Sequence, residues 1–177
     1  MMLSNLDVSI FYYINHLPHS EVINSIASFI HYATRGGLIY LPLLLIFFLN
    51  KKLRNLFWLM LFSGGISIAL VDLILKPLIA RPRPFEVLTN VITVLPMPTN
   101  ASFPSSQTST AAAVIMSCIL LLPGRWKYLL WLWLIIVALD RIYMGHHYPS
   151  DVLAGAIIGV GISLIVNKYM TIKKASV

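Results

Sequence analysis

Apolar residues occur along this chain in uninterrupted runs, with almost no charge inside them. The runs cover residues 22–34, 37–50, 56–75, 108–122, 128–143 and 152–166, with short polar or basic connections between them. A hydrocarbon layer about 30 Å thick needs roughly 20 helical residues, so runs of this kind predict helices that cross lipid. The first has only 13 residues. At about 1.5 Å per residue it would reach only about 20 Å, which predicts a tilted, extended or re-entrant segment. Pro42 interrupts the second run. Ahead of both, SNLDVSIFYYINHL mixes aromatic and aliphatic residues with Asp7, Asn15 and His16. That mixture predicts an amphipathic helix lying at the membrane interface. The expected fold is all-α: an integral membrane helical bundle of about six transmembrane helices, one membrane domain over 1–177, with an N-terminal interfacial helix over 1–17.

Composition agrees with the pattern. Of 177 residues, 58% are hydrophobic and 11% charged, outside the range of soluble globular chains. The runs are too many and too late to be a removable signal peptide. Small residues at Ser63, Gly64, Gly65 and Ser67, and at Ala154, Gly155, Gly159 and Gly161, allow close helix contacts in lipid. The single cysteine, Cys118, excludes a disulfide within the chain and reads as a buried thiol.

A net charge of +7 raises nucleic acid as a partner, but the cations form short clusters between apolar runs instead of one basic face, so no nucleic acid is expected. Lys51, Lys52 and Arg54, then Arg125 and Lys127, then Lys168, Lys173 and Lys174 fall on one side of the membrane when spans are counted. The positive-inside rule makes that side the cytoplasm. Lys76, Arg81, Arg83, Arg141, His146 and His147 then lie on the other side, where they cannot be retention signals.

Three stretches meet at that far mouth: KPLIARPRPF, FPSSQTS and DRIYMGHHYPSD. Four cations close together repel one another unless an anion joins them, and Asp72, Glu86, Asp140 and Asp151 are the only carboxylates near. Phosphate fits the missing anion, because arginine offers a planar fork and lysine a point charge to its oxygens. Pro104-Ser105-Ser106 runs into an apolar helix whose first amides lack partners, a ready oxyanion site. His147 stands four residues before Asp151. A carboxylate so placed fixes the imidazole tautomer and turns the other nitrogen outward, as a nucleophile or base requires. An interfacial histidine is the competing reading, and His146, without a carboxylate at that spacing, reads as interfacial or supporting.

Lys76 and Arg83-Pro84, Pro104-Ser105 opening a helix, then Arg141, His147 and Asp151 at these spacings resemble the type 2 phosphatidic acid phosphatases, integral membrane lipid phosphatases. The resemblance covers about 56–168, the expected family core. It implies that Lys76, Arg83 and Arg141 bind phosphoryl oxygens with Ser105 and the Ser106 amide assisting. His147 would attack phosphorus to give a phosphohistidine, and Asp151 would orient it. Arg81 would support phosphate binding. Neither metal nor other cofactor is implied, in keeping with the lack of a ligand cluster. The expected partner is a lipid phosphate drawn from the outer leaflet of a bacterial inner membrane, with the site facing the periplasm or outer surface. Undecaprenyl diphosphate, phosphatidylglycerol phosphate, phosphatidic acid and lipid A 1-phosphate are the candidates.

One position departs from the family. Where its second motif ends in glycine-histidine, this chain has Ser106 and Gln107. The family histidine is held to protonate the leaving oxygen; glutamine donates hydrogen bonds but is no acid. Three outcomes follow: a substrate with a better leaving group, such as a lipid diphosphate; another proton source, with His146 and Tyr148 as candidates; or a non-catalytic anionic-lipid binding or transport protein.

Overall fold

The computed structural model describes residues 5–122 and 124–175, with side chains to 171. The first four residues of the expected interfacial helix and the side chains of Lys173 and Lys174 lie outside them. Among the described residues nine α-helices follow in order: α1 (Asn5–Asn15), α2 (Glu21–Thr34), α3 (Leu41–Leu49), α4 (Arg54–Ile68), α5 (Lys76–Ile79), α6 (Pro84–Val87), α7 (Ser106–Leu121), α8 (Trp126–Tyr143) and α9 (Pro149–Ala175). Among the described residues there is no strand, and the chain is an integral membrane helical bundle.

Three stretches are long and apolar enough to cross a membrane: Glu21–Leu49, Arg54–Val87 and Pro149–Thr171. The shorter α7 is apolar, and α8 is 18 residues long. The runs 22–34 and 37–50 fold as two helices, α2 and α3, which with the kinked Arg35–Tyr40 join between them make one stretch long and apolar enough to cross. Each run is too short to cross alone. Between them the chain kinks at Gly36 and Gly37, which leave the helical conformation at φ +60° and +77°. Only residues without a Cβ take that conformation freely. Downstream, α4 passes through a π-helical stretch, Ala69–Leu75, directly into α5.

The centre of the bundle is α7. Its Thr108–Ile115 stretch is buried throughout, because small residues (Ala111, Ala112, Ala113) let α4, α8 and α9 pack close around it. A Cβ added at Gly155 would lie 2.6 Å from the Ser105 carbonyl, and one at Gly159 would lie 2.1 Å from the Ser109 carbonyl. These two glycines therefore set the α7–α9 separation. Gly65 and Gly161 have nothing within 4 Å and set no contact. The Ser105 amide donates to the Asp151 carbonyl at 3.0 Å, so α7 and α9 begin side by side at one end of the bundle.

α1 docks at that same end. Its buried face is Asp7, Phe11 and Asn15, one helical stripe, whereas Leu6, Ile10, Tyr13 and Leu17 are exposed. The polar residues on the inner face are all engaged. Asn15 exchanges hydrogen bonds with the Ile92 backbone (2.8 and 3.0 Å) and donates to the Tyr143 carbonyl. In this way α1 secures the 88–105 loop over the end where the helix termini converge.

Candidate active site

Four terminal structures meet there: the end of α4–α5, the start of α7, the α8–α9 connection and the latter half of α2. Between them lies a cavity of about 510 Å³, within the ~300–1,000 Å³ usual for small-molecule sites. Lys76, Arg83, Ser106, Gln107, His146 and His147 line it. These come from all three motifs that the sequence singles out. The remaining expected residues, Arg81, Ser105, Arg141 and Asp151, are packed behind the wall.

Lys76 reaches the cavity because the π-helical turn precedes it; its Nζ sits 2.8 Å from Asp72 one turn back. The other carboxylate oxygen of Asp72 accepts from the Ser106 hydroxyl at 2.8 Å. Arg83 is held by neutral oxygens: its guanidinium donates to the Asn100 carbonyl and side-chain oxygens and to the His146 carbonyl, each at 2.7 Å. Among the described residues it has no salt bridge, and it lines the cavity. The Ser105 hydroxyl meets Thr108 at 2.9 Å and is fully buried. What α7 presents to the cavity is its first turn, beginning at Ser106, with the positive end of the helix dipole.

His147 lies between a cation and a carboxylate. Its Nε2 is 3.5 Å from Arg83 Nη1, and its Nδ1 is 3.6 Å from Asp151 Oδ2, an ion-pair separation rather than a hydrogen bond. Arginine can only donate, so Nε2 is the nitrogen with the lone pair, and it lies on the cavity side. Burial holds the imidazole down at about 4, and Arg83 adds to this against the opposing pull of Asp151. His146 is held lower still, at about 3, chiefly by burial. At neutral pH both rings are uncharged. Asp151 has several partners besides His147: Arg81 and the Ser102 hydroxyl donate to it, and so does the Tyr148 amide at 2.9 Å.

Arg81 does not reach the cavity. It bridges Asp151 and Asp7, 2.7 Å from the latter, donates to Ser150 at 2.7 Å and stacks its guanidinium 4.2 Å from the Tyr148 ring centre. The expected cluster of mutually repelling cations is thus largely paired within the protein: Lys76 with Asp72, Arg81 with Asp7 and Asp151, Arg141 with Asp140. Asp7 lies far outside the motifs, and no spacing signals its part in this. Tyr148 is fully buried beneath Arg81, and burial raises its hydroxyl to about 12. Of the two proton sources considered, Tyr148 is therefore walled off from the cavity, while His146 lines it.

Arg141 is wholly buried and reaches the cavity only through others. It donates to Gln107 Oε1 and Asp140, and its Nη1 is 2.7 Å from His31 Nδ1. His31 and Arg35, both from α2 and its end, line the same cavity. Neither belongs to a recognisable spacing. Arg35 falls in the short connection between two apolar runs, where sequence gives a basic residue no particular role. Among the described residues no group of three His, Cys, Asp or Glu is placed to hold a metal ion.

A family model described as the PAP2 superfamily matches residues 52–174. The undecaprenyl-diphosphatase of Sulfolobus acidocaldarius is 26% identical over 133 residues, 72% of this chain and 61% of that protein. This chain thus spans less than two thirds of that relative's length. Undecaprenyl-diphosphatase BcrC of Bacillus subtilis is 28% identical over 154 residues, 85% of this chain and 77% of that one. The crystal structure of Aquifex aeolicus LpxE superposes with a TM-score of 0.74 at 28% identity, covering 94% of this chain and 97% of LpxE. A family match over most of the chain, a shared fold and helix termini that gather Lys76, Arg83, Ser106 and His147 around one cavity agree: the chain belongs to the PAP2 superfamily.

Proposed function

We propose that this membrane lipid phosphate phosphatase removes a terminal phosphate by attack of His147 Nε2 on phosphorus. The observation that carries the reading is the setting of that nitrogen: unprotonated, at the cavity, beside Arg83, with Asp151 behind the other ring nitrogen. Lys76, Arg83 and the first amides of α7 bind the phosphoryl oxygens, whose charge grows in the transition state. The P–O bond breaks and its electron pair leaves with the lipid. Asp151 stabilises the positive charge that the imidazole gains. Water then attacks the phosphohistidine and the P–N pair returns to Nε2. Arg81 holds Asp151, and Arg141 holds the Gln107 wall; both act through other residues.

The substrate is a lipid phosphate or diphosphate entering from the outer leaflet, with undecaprenyl diphosphate, phosphatidylglycerol phosphate, phosphatidic acid and lipid A 1-phosphate as candidates. Two relatives named undecaprenyl-diphosphatase support the first. Lys51, Lys52, Arg54, Arg125, Lys127 and Lys168 lie toward the helix ends away from the cavity. The positive-inside rule then supports a site facing the periplasm or outer surface of a bacterial inner membrane.

The test is phosphate release by detergent-purified protein from a panel of these lipids, alongside His147→Ala. Release is expected from at least one lipid, and the substitution should abolish it. No release from any lipid would favour a non-catalytic anionic-lipid binder, and release undiminished by the substitution would remove His147 as nucleophile.

A further inference from the structure

In any phosphoryl transfer here the oxygen that leaves phosphorus must be stabilised, and the wall where the family histidine is missing has a definite hydrogen-bond inventory. Gln107 cannot help. Its Nε2 donates to the His31 carbonyl and to Thr34 Oγ1, both at 2.9 Å, and its Oε1 accepts from Arg141. Both amide hydrogens are therefore committed to α2, and no donor is left for a substrate.

What Gln107 and Arg141 hold in place is His31. Because arginine only donates, His31 Nδ1 is the acceptor of the 2.7 Å contact with Arg141, and the ring proton resides on Nε2. Among the described residues Nε2 makes no hydrogen bond. One helical turn on, Arg35 is exposed, lines the same cavity and has no salt bridge among the described residues. Positions i and i+4 share a helix face. The α2 wall thus offers a neutral donor and a full positive charge, neither engaged by the protein. The charged side chains lining the cavity are Arg35, Lys76 and Arg83 against the single carboxylate of Asp72.

We propose that His31 and Arg35 form a leaving-group subsite that receives an anionic leaving group, the inner phosphate of a lipid diphosphate, while Lys76 and Arg83 hold the terminal phosphate. The proposal rests on the phosphatase reading and deepens it. His147 Nε2 bonds to the terminal phosphorus, the bond from that phosphorus to the bridging oxygen breaks, and the electron pair stays on the bridging oxygen, which departs as the lipid monophosphate. A phosphate leaves without first taking a proton. His31 Nε2–H and the Arg35 guanidinium donate hydrogen bonds to its oxygens as their charge rises. Water then attacks the phosphohistidine, leaving its hydroxyl on the released phosphate and passing its other proton to the lipid monophosphate. An alkoxide from a monoester would need a proton at cleavage. His31 in this tautomer could supply one only by becoming imidazolate, so monoesters should suffer the roughly 10²- to 10⁴-fold deficit of a missing general acid.

The experiment compares farnesyl diphosphate with farnesyl monophosphate, whose tails are identical, and reads the ratio of their kcat/KM values. The parent should favour the diphosphate by at least about a hundred-fold. Arg35→Gln and His31→Gln should each shrink that ratio by about ten- to a hundred-fold, the scale of a charge-assisted hydrogen bond. Arg35→Lys, which keeps the charge and guards against misfolding of the glutamine variant, should retain most of it. A ratio unchanged within two-fold in both glutamine variants, or a parent that prefers the monophosphate, overturns the subsite. A parent inactive on both farnesyl substrates but active on another lipid of the panel overturns the subsite alone, one inactive on every lipid overturns the phosphatase reading and the subsite with it, and activity surviving His147→Ala removes the attack by His147 on which the subsite is built.

Discussion

Replacing Asp7 by alanine removes a carboxylate from helix α1, outside the 52–174 family match, and should still damage the catalytic end. Asp7 is buried. It accepts from Arg81 at 2.7 Å and from the Ser150 hydroxyl and amide at 2.6 and 2.9 Å. Breaking a buried ion pair by deleting one partner costs about 3–5 kcal/mol. Arg81 keeps Asp151 as a partner, so the lower end, about 3 kcal/mol, applies. For a chain of this size that corresponds to a loss of roughly 6–12 °C in Tm. Asp7→Asn, which can still accept from the Ser150 amide, should fall between parent and alanine. The chain carries its own reporter: Cys118 is the only cysteine and is buried, so a thiol-reactive fluorogenic dye in detergent reads unfolding directly. Activity should fall as well, in kcat more than in KM, because Arg81 would then draw on Asp151 alone and neither residue lines the cavity. A Tm within 2 °C of the parent together with kcat within two-fold would refute this reasoning.

Other outcomes follow from the same geometry. The free-enzyme pH profile should have its acid limb near 4, not 6.5, since the folded state depresses His147 to that value. The unfolded chain binds protons on His146 and His147 that the folded chain refuses, so stability should be fully present above about 6.5 and fall as pH drops toward 4, measured by Cys118 melts across pH. Gly159→Ala drives a Cβ to 2.1 Å from the Ser109 carbonyl and should cost about 3 kcal/mol. Gly161→Ala, with nothing within 4 Å, should melt at or slightly above the parent temperature. Gln107→His should narrow the diphosphate-to-monophosphate ratio of kcat/KM by raising monoester cleavage at least ten-fold; an unchanged ratio would show that Gln107 is not what limits monoesters.

The helices and the end at which chemistry gathers were legible in the sequence because both rest on short-range regularities. Apolar run length marks a span, and Lys76, Arg83, Ser106 and His147 each stand a fixed few residues from a helix terminus, so topology alone brings them to one mouth. Depth within the wall was not legible. Arg81 and Arg141 share that mouth, yet whether a guanidinium meets the cavity or a buried carboxylate depends on Asp7 and Asp140, and on packing that spacing does not encode. The same holds for Gln107, whose amide looked available to substrate until both its hydrogens were traced to α2. The break between the runs 22–34 and 37–50 was legible because Gly36-Gly37 can take the left-handed conformation that ends a helix. His31 is the only histidine in the run 22–34 and carries no spacing signal.

The Gly36-Gly37 bend has a further consequence. It joins α2, with His31 and Arg35, to the rest of the bundle through two residues that lack side chains, and at Gly36 nothing lies within 4 Å. On the proposals above, the groups that attack and grip the terminal phosphate come from residue 76 onward, whereas His31 and Arg35, which would meet the departing lipid, come from the first 35 residues. On this reading selectivity can be changed at α2 while Asp7 on α1 continues to hold Arg81 behind Asp151. Exchanging the polar residues of the α2 wall, with α1 and its Asp7 kept, would offer the same nucleophile to a different lipid.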